Sequence, residues 1–239
     1  AGGRAVGFLG EYDALRGQGH GCAHHMQTPA MIGAAMALRG VLESSDQPFE
    51  IHVIGTPSEE SLDGGKNEMA AHGGFDHIDV AFMVHGSTLT QLETPSLALI
   101  EMDVEFHGKT AHAGIAPYAG RSAVDAVTML QTGLGLMRNH LKDSSRVSNI
   151  VLAGGTAVNS VPDFAKVKVE IRHSSMAYLE SVEQWTREIA QAAAMATQTQ
   201  VQITPVAHIY NTTINDAMGA LLMECAEKFA CDGIAPPRK

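Results

Sequence analysis

Between Arg4 and Gly86 the chain alternates short apolar runs with stretches of helical composition, and this alternation restricts the fold more than any other feature. "RAVGFLGEYDAL" (4–15), "FEIHVIG" (49–55) and "DVAFMVHG" (79–86) have the continuous apolar character of strands buried on both faces. Between them, "TPAMIGAAMALRGVL" (28–42) reads as a helix, with Thr28 as cap, Pro29 at its first position and Gly40 near its end. "GGKNEMAAHGGF" (64–75) reads as a shorter helix stopped by glycines. Strands that alternate with helices predict an α/β domain with a mainly parallel sheet, covered on both faces.

The pattern changes near residue 96. "SLALIEMDVEFHG" (96–108) is long and alternates, as expected of a strand with one solvated face, and its edge is expected to seek a partner. A helix near 120–141, strands near 146–154 and 164–173, a helix over 176–197 and a strand over 200–208 follow. The order β-α-β-β-α-β predicts the split βαβ unit of a ferredoxin-like sandwich. Residues 98–205 are therefore expected to form an inserted domain, with 1–97 and 206–239 as the first domain. "YNTTINDAMGALLMECAEKFA" (210–230) returns to helical patterning.

In an open parallel sheet, sites form outside the carboxyl ends of the strands. "GHGCAHH" (19–25) follows the first strand, "GTPSEES" (55–61) the second, and His85 ends the third. Cys22, His24, Glu59, Glu60 and His85 are thus delivered to one sheet edge. Thiolate, imidazole and carboxylate together form a donor set for zinc or another late transition metal. Cys22 and His24 are two residues apart, so an extended segment would point both the same way. His20 and His25 flank this cluster, and Cys225 and Cys231 read as half-buried thiols at helical spacing.

A formal net charge of −10, without a basic run, excludes a nucleic-acid backbone or an anionic membrane surface as the main partner. No apolar stretch approaches the roughly 18 residues of a spanning helix. Three cysteines make no disulfide framework and suggest a reducing, cytoplasmic location. The zinc deaminase spacing and a C-x-x-C redox pair are both missing.

The motifs "GEYDAL", "GHGCAHH", "GTPSEE" and "DVAFMVHG", in that order, resemble peptidase family M20. The resemblance is to its amidohydrolase branch, which includes p-aminobenzoyl-glutamate hydrolase, indole-acetyl-amino-acid hydrolases and β-alanyl-lysine-type dipeptidases. "VEFHGKTAHAGIAPYAGRSAVDAV", "GGTAVNSVP" and "VEIRH" resemble that family's inserted lid domain. The resemblance implies a dinuclear metal-dependent amidohydrolase that cleaves the amide of an N-acyl amino acid or dipeptide-like substrate. Cys22, His24, Glu60 and His85 would hold two divalent ions (zinc, manganese or cobalt). Glu59 would be the catalytic carboxylate, and Asp13 would sit behind the ligands and steady one of them. His112, Asn159 and Arg172 would reach the substrate from the lid, His112 often across the interface of a homodimer. The chemistry suits such residues. A divalent ion acidifies water to a pKa of about 7, and a carboxylate beside it can relay the proton to the leaving amine. An arginine fork suits a substrate carboxylate.

This sequence also departs from the family pattern. It has "CAHH" for "CGHN", so Ala23 is expected to sit where the loop needs a positive φ. Arg16 stands for a proline, Ser122 for an asparagine and Gly86 for a proline. The family's chains begin before "AGGRAV" and continue past "GIAPPRK", into a tail that supplies a further histidine ligand. The alternative expectation is therefore a truncated, inactive homologue with an incomplete metal site and a dimerising lid domain.

Overall fold

The structure, a computed structural model, describes residues 3–61, 64–88 and 95–228. The chain divides into two compact units, residues 1–93 with 216–239, and residues 94–215. The second unit includes the whole of its last strand, which runs to Ile209, so a boundary at 205/206 would cut a continuous strand.

In the first unit, β1 (Arg4–Glu11) is the central strand of a parallel sheet, between β2 (Phe49–Thr56) and β3 (Val80–Phe82). The register runs from Arg4 opposite Phe49 to Glu11 opposite Thr56, and from Val6 opposite Val80 to Phe8 opposite Phe82. Helix α1 (His24–Leu42) crosses from β1 to β2, and the short α2 (Gly65–Ala71) precedes β3. Phe8, Met31 and Ala35 form the buried core, and Phe8 stacks on Phe82 at 5.9 Å.

Two expectations need correction here. Helix α1 begins four residues before Thr28, so Thr28 is not its cap and Pro29 lies inside it. Thr28 instead donates from Oγ1 to the Glu11 carbonyl at 2.7 Å. Gly10 makes room for that approach, since a Cβ there would lie 2.5 Å from Thr28 Oγ1. Strand β3 ends at Phe82, so His85 lies three residues beyond it rather than on its last residues.

In the second unit, β4 (Ala98–His107), α3 (Ala123–Met137), β5 (Arg146–Ala153), β6 (Phe164–His173), α4 (Met176–Thr197) and β7 (Gln200–Ile209) follow in sequence. The sheet is antiparallel with order β5-β6-β4-β7. Ser122 and Ser175 cap α3 and α4, accepting from the backbone N–H of Asp125 and Tyr178. Period-two patterning sorts the strands. Ile100, Met102, Val104 and Phe106 of β4, with Val167, Val169 and Ile171 of β6, join Leu130, Leu134, Leu179 and Val182 of the helices in one core. The opposite face carries Glu101, Asp103 and Glu105 against Lys166 and Lys168. Strand β4 is paired on both sides, so the long alternating strand offers no free edge; β5 and β7 are the edges.

Helix α5 (Asp216–Lys228) belongs to the first unit. Cys225 lies on it and is exposed rather than half-buried, while Cys231 lies outside the described residues. Among the described residues, no helix is long and apolar enough to cross a membrane.

Candidate metal centre

Three chain segments beyond the ends of β1, β2 and β3 converge. Cys22 sits in the loop before α1, His24 is the first residue of α1, and Glu59 and Glu60 follow β2. His85 follows β3. Donor atoms of Cys22, His24 and His85 lie within 4.8 Å of one another, as do those of His24, Glu59 and Glu60. The five predicted donors are therefore brought together, with His24 common to both groups. They do not meet through an extended segment. Ala23 takes a left-handed conformation (φ 66°) that turns the chain from Cys22 straight into the helix. Ser58, just before Glu59, is also left-handed (φ 58°). Backbone strain of this kind is concentrated where side chains must be aimed.

Hydrogen bonds fix the imidazoles. His24 Nδ1 lies 3.0 Å from the Asp13 carbonyl and His85 Nδ1 lies 2.8 Å from the Gly86 carbonyl. A carbonyl only accepts, so each ring donates from Nδ1, which in the neutral imidazole leaves the lone pair at Nε2. His85 Nε2 faces Cys22 Sγ at 3.4 Å. Asp13 reaches Glu60 as well, accepting its backbone N–H at 2.9 Å. One residue thus restrains two of the predicted donors, the arrangement that orients metal ligands from behind.

The cluster is built at an electrostatic cost. His24 is 1% exposed and Glu11 2%. Among the described residues, no hydrogen bond reaches the buried His24 Nε2, Glu11 Oε2, Asp13 Oδ1 or Glu60 Oε1. Burial pushes the Cys22 thiol up to about 11, with repulsion from Glu60, Glu59 and Glu11 adding to it. Burial, then Glu11 and Glu60, likewise raise the Glu59 carboxyl, against the pull of Lys66 and His24. Buried acceptors without donors are costly, and a divalent cation beside His24 and Glu60 would offset that cost. The residues fit a metal. A recess of about 420 Å³ lined by Asp13, Ala14, Arg16, Ser58, Glu60 and Ser61 opens beside them.

Residues 98–198 match the peptidase dimerisation domain of the M20 family. The chain is 35% identical over 233 residues to the Xaa-Arg dipeptidase of Mus musculus, covering 96% of this chain and 54% of that protein. It is 32% identical over 236 residues to one of the subunits of p-aminobenzoyl-glutamate hydrolase from Escherichia coli K12, covering 89% and 49%. This chain carries the M20 peptidase dimerisation domain. The fold of this chain matches the crystal structure of an aminobenzoyl-glutamate utilization protein from Klebsiella pneumoniae, with a TM-score of 0.76 and 26% identity over 98% of this chain and 58% of that one. It also matches the fold of a dinuclear metal-binding M20 peptidase from Bacillus subtilis, with a TM-score of 0.72 and 18% identity over 99% and 66%. The chain spans about half the length of the curated relatives it matches.

The predicted substrate-binding residues divide. His112 and Asn159 lie on two segments that zip together: Ala113 N–H donates to the Asn159 carbonyl at 2.9 Å, and His112 bridges to Ser160. Arg172 is near the far end of β6, opposite Leu99, whereas the Asn159 loop enters β6 at Phe164. Its guanidinium grips Glu170 with two bonds, of 2.7 and 3.0 Å. His20 and His25 are exposed and face each other at 5.1 Å, outside both donor groups. Sequence reasoning passed over Glu11 and Lys66, which form an ion pair at this site. The acidic residue in "GEYDAL" was the available signal, since a carboxylate at the end of a buried strand demands a partner.

Proposed function

We propose that this chain carries the catalytic centre of a metal-dependent amidohydrolase, cleaving the amide of an N-acyl amino acid or dipeptide-like substrate. The observation that carries this reading is the convergence of Cys22, His24, Glu60 and His85, with both imidazoles keyed so that Nε2 faces inward. The relatives support the substrate class, since one is named a dipeptidase and another a hydrolase of an aroyl-amino acid. A pair of divalent ions bound there supplies Lewis acidity and acidified water. The thiolate and imidazoles suit zinc or cobalt and the carboxylates admit manganese.

Glu59 is our choice for the proton carrier. It is the most exposed of the acidic side chains around His24, at 41% against 11% for Glu60, so it can face substrate while Glu60 stays committed to a ligand role. A carboxyl raised by burial and by Glu11 is a better base than an ordinary one. Asp13 holds the His24 ring and the Glu60 backbone in place.

His112, Asn159 and Arg172 are proposed to bind substrate. Phe164 and Arg172 are eight residue steps apart along the strand, roughly 27 Å. A dipeptide-sized molecule cannot touch Arg172 and the His112–Asn159 pair of the same chain at once. That separation favours a homodimer in which two copies of the ferredoxin-like lid contribute different groups to one substrate. Edge strand β5 exposes Ile150, Val151 and Leu152 on consecutive residues, a surface suited to a partner copy. A thiolate ligand suits a reducing compartment, the cytoplasm.

The test is metal content and turnover of Glu59→Gln. The wild-type chain is expected to bind stoichiometric divalent metal and to release amino acid from acyl-amino acid or dipeptide substrates. The variant is expected to keep its metal and lose turnover by a factor of about 10² to 10⁴. Retained turnover would reject Glu59 as the base. Bound metal without turnover in the wild type would favour a non-catalytic homologue.

A further inference from the structure

We propose that Glu11 is a direct carboxylate donor to the cation held by His24 and His85, an inference that rests on the metal-centre reading above. Glu11 ends β1 with its side chain 3% exposed. A buried carboxylate is costly unless both oxygens are occupied. Oε1 pairs with Lys66 Nζ, offered by the first turn of α2. Oε2 has no hydrogen bond among the described residues, yet it lies 3.0 Å from His24 Nε2 and 4.0 Å from His85 Nε2.

The ring orientations decide what this closeness means. A carboxylate that only orients a metal-binding histidine accepts the N–H on the far side of the ring. Here both of those N–H groups are already spent, on the carbonyls of Asp13 and Gly86. Glu11 Oε2 therefore faces the very nitrogens that carry the lone pairs. With neutral rings, three acceptors face one another and repel, and a bound metal ion among them makes the arrangement attractive. Donors bound about 2.0–2.2 Å from a tetrahedral ion lie roughly 3.3–3.5 Å apart. The two separations from Oε2 bracket that spacing. Lys66, by holding Oε1, keeps the carboxylate turned so that Oε2 faces the histidines.

The experiment is a zinc-affinity measurement on the full chain, by competition with a chromophoric chelator, for wild type, Glu11→Gln and Glu11→Asp. Both variants are expected to bind zinc more than about 100-fold more weakly, beyond the roughly 10- to 100-fold that losing a merely supporting group costs. With cobalt bound, their visible absorption bands should shift from those of the wild type. Wild-type affinity and an unchanged cobalt spectrum in Glu11→Gln would overturn the proposal while leaving the metal centre intact. Should the variants not fold, anomalous diffraction from zinc-soaked wild-type crystals decides. Zinc about 2.2 Å or less from Glu11 Oε2 supports direct ligation, and a distance beyond about 3 Å overturns it. Failure of the wild type to bind zinc at all would overturn the metal-centre reading itself, and this inference with it.

Discussion

Ala23 holds a left-handed conformation that costs an L-residue about 1–2 kcal/mol, and it holds it between two of the candidate metal ligands, Cys22 and His24. Its methyl group is also the neighbour of Gly86: a Cβ added at residue 86 would lie 2.8 Å from Ala23 Cβ. Two of the departures from the family pattern, alanine for glycine and glycine for proline, therefore meet in space. The contact bears on the site because the Gly86 carbonyl receives His85 Nδ1–H. Gly86→Ala is expected to destabilise by about 1–3 kcal/mol through overpacking. Ala23→Gly should relieve the left-handed strain and stabilise by about 1 kcal/mol. The double variant should recover most of the Gly86→Ala loss, a coupling measurable by urea denaturation of all four proteins. Simple additivity of the two changes would show that the contact between the two methyl groups carries no energy.

At the scale of elements, the second unit's sheet separates its two faces by charge, and the polar face is a titrating ladder. Burial would by itself raise the Asp103 carboxyl, but bonds from Lys166 and Lys168 outweigh it and hold the group below the ordinary carboxylate range. The two amines sit 2.7 and 3.3 Å from its oxygens. A folded-state value below the unfolded one, about 3.9, stabilises fully above that pH. The contribution disappears as pH falls through the lower folded value. Asp103→Asn is thus expected to lower Tm at pH 7, with the gap to wild type closing below about pH 4. An equal gap at pH 3 and pH 7 would remove the ladder from the stability argument. The alternation that sorts this sheet was legible in the residues: β6 and α4 fall on the expected ranges because their periods of 2 and 3.6 are uninterrupted. The start of α1 was not legible. Its entry through left-handed Ala23 uses no side-chain cap, and the Thr-Pro pair that mimics a cap serves the strand end instead. Strand pairing of β4 on both edges was hidden too, since alternation reports faces and says nothing of edges. Likewise the donors Cys22, His24, Glu59, Glu60 and His85 announce themselves by residue type. Glu11 acquires its meaning only from the two nitrogens it faces.

Across the whole molecule, apolar burial is unevenly shared. Among the described residues, twenty-two buried apolar side chains form the core of the second unit and three that of the first. At about 25 cal/mol per Å² of apolar surface removed from water, the second unit holds far more of the hydrophobic stabilisation. The first unit exposes Met36, Val41 and Val53, and it also carries the unsatisfied buried acceptors at the candidate metal centre. Its stability should therefore depend on a bound cation, whereas that of the second unit should not. Calorimetry of the metal-free chain is expected to show two transitions, the lower one from the first unit. Zinc at 100 times its dissociation constant stabilises the state that binds it by about 2.7 kcal/mol. That increment should move the lower transition upward and leave the upper one in place. Leu130→Ala empties a fully buried position in the second core, and its cost of about 2–5 kcal/mol should lower the upper transition alone. One transition, displaced alike by zinc and by Leu130→Ala, would mean that the two units unfold as a single cooperative body and that the metal centre draws its rigidity from the larger core.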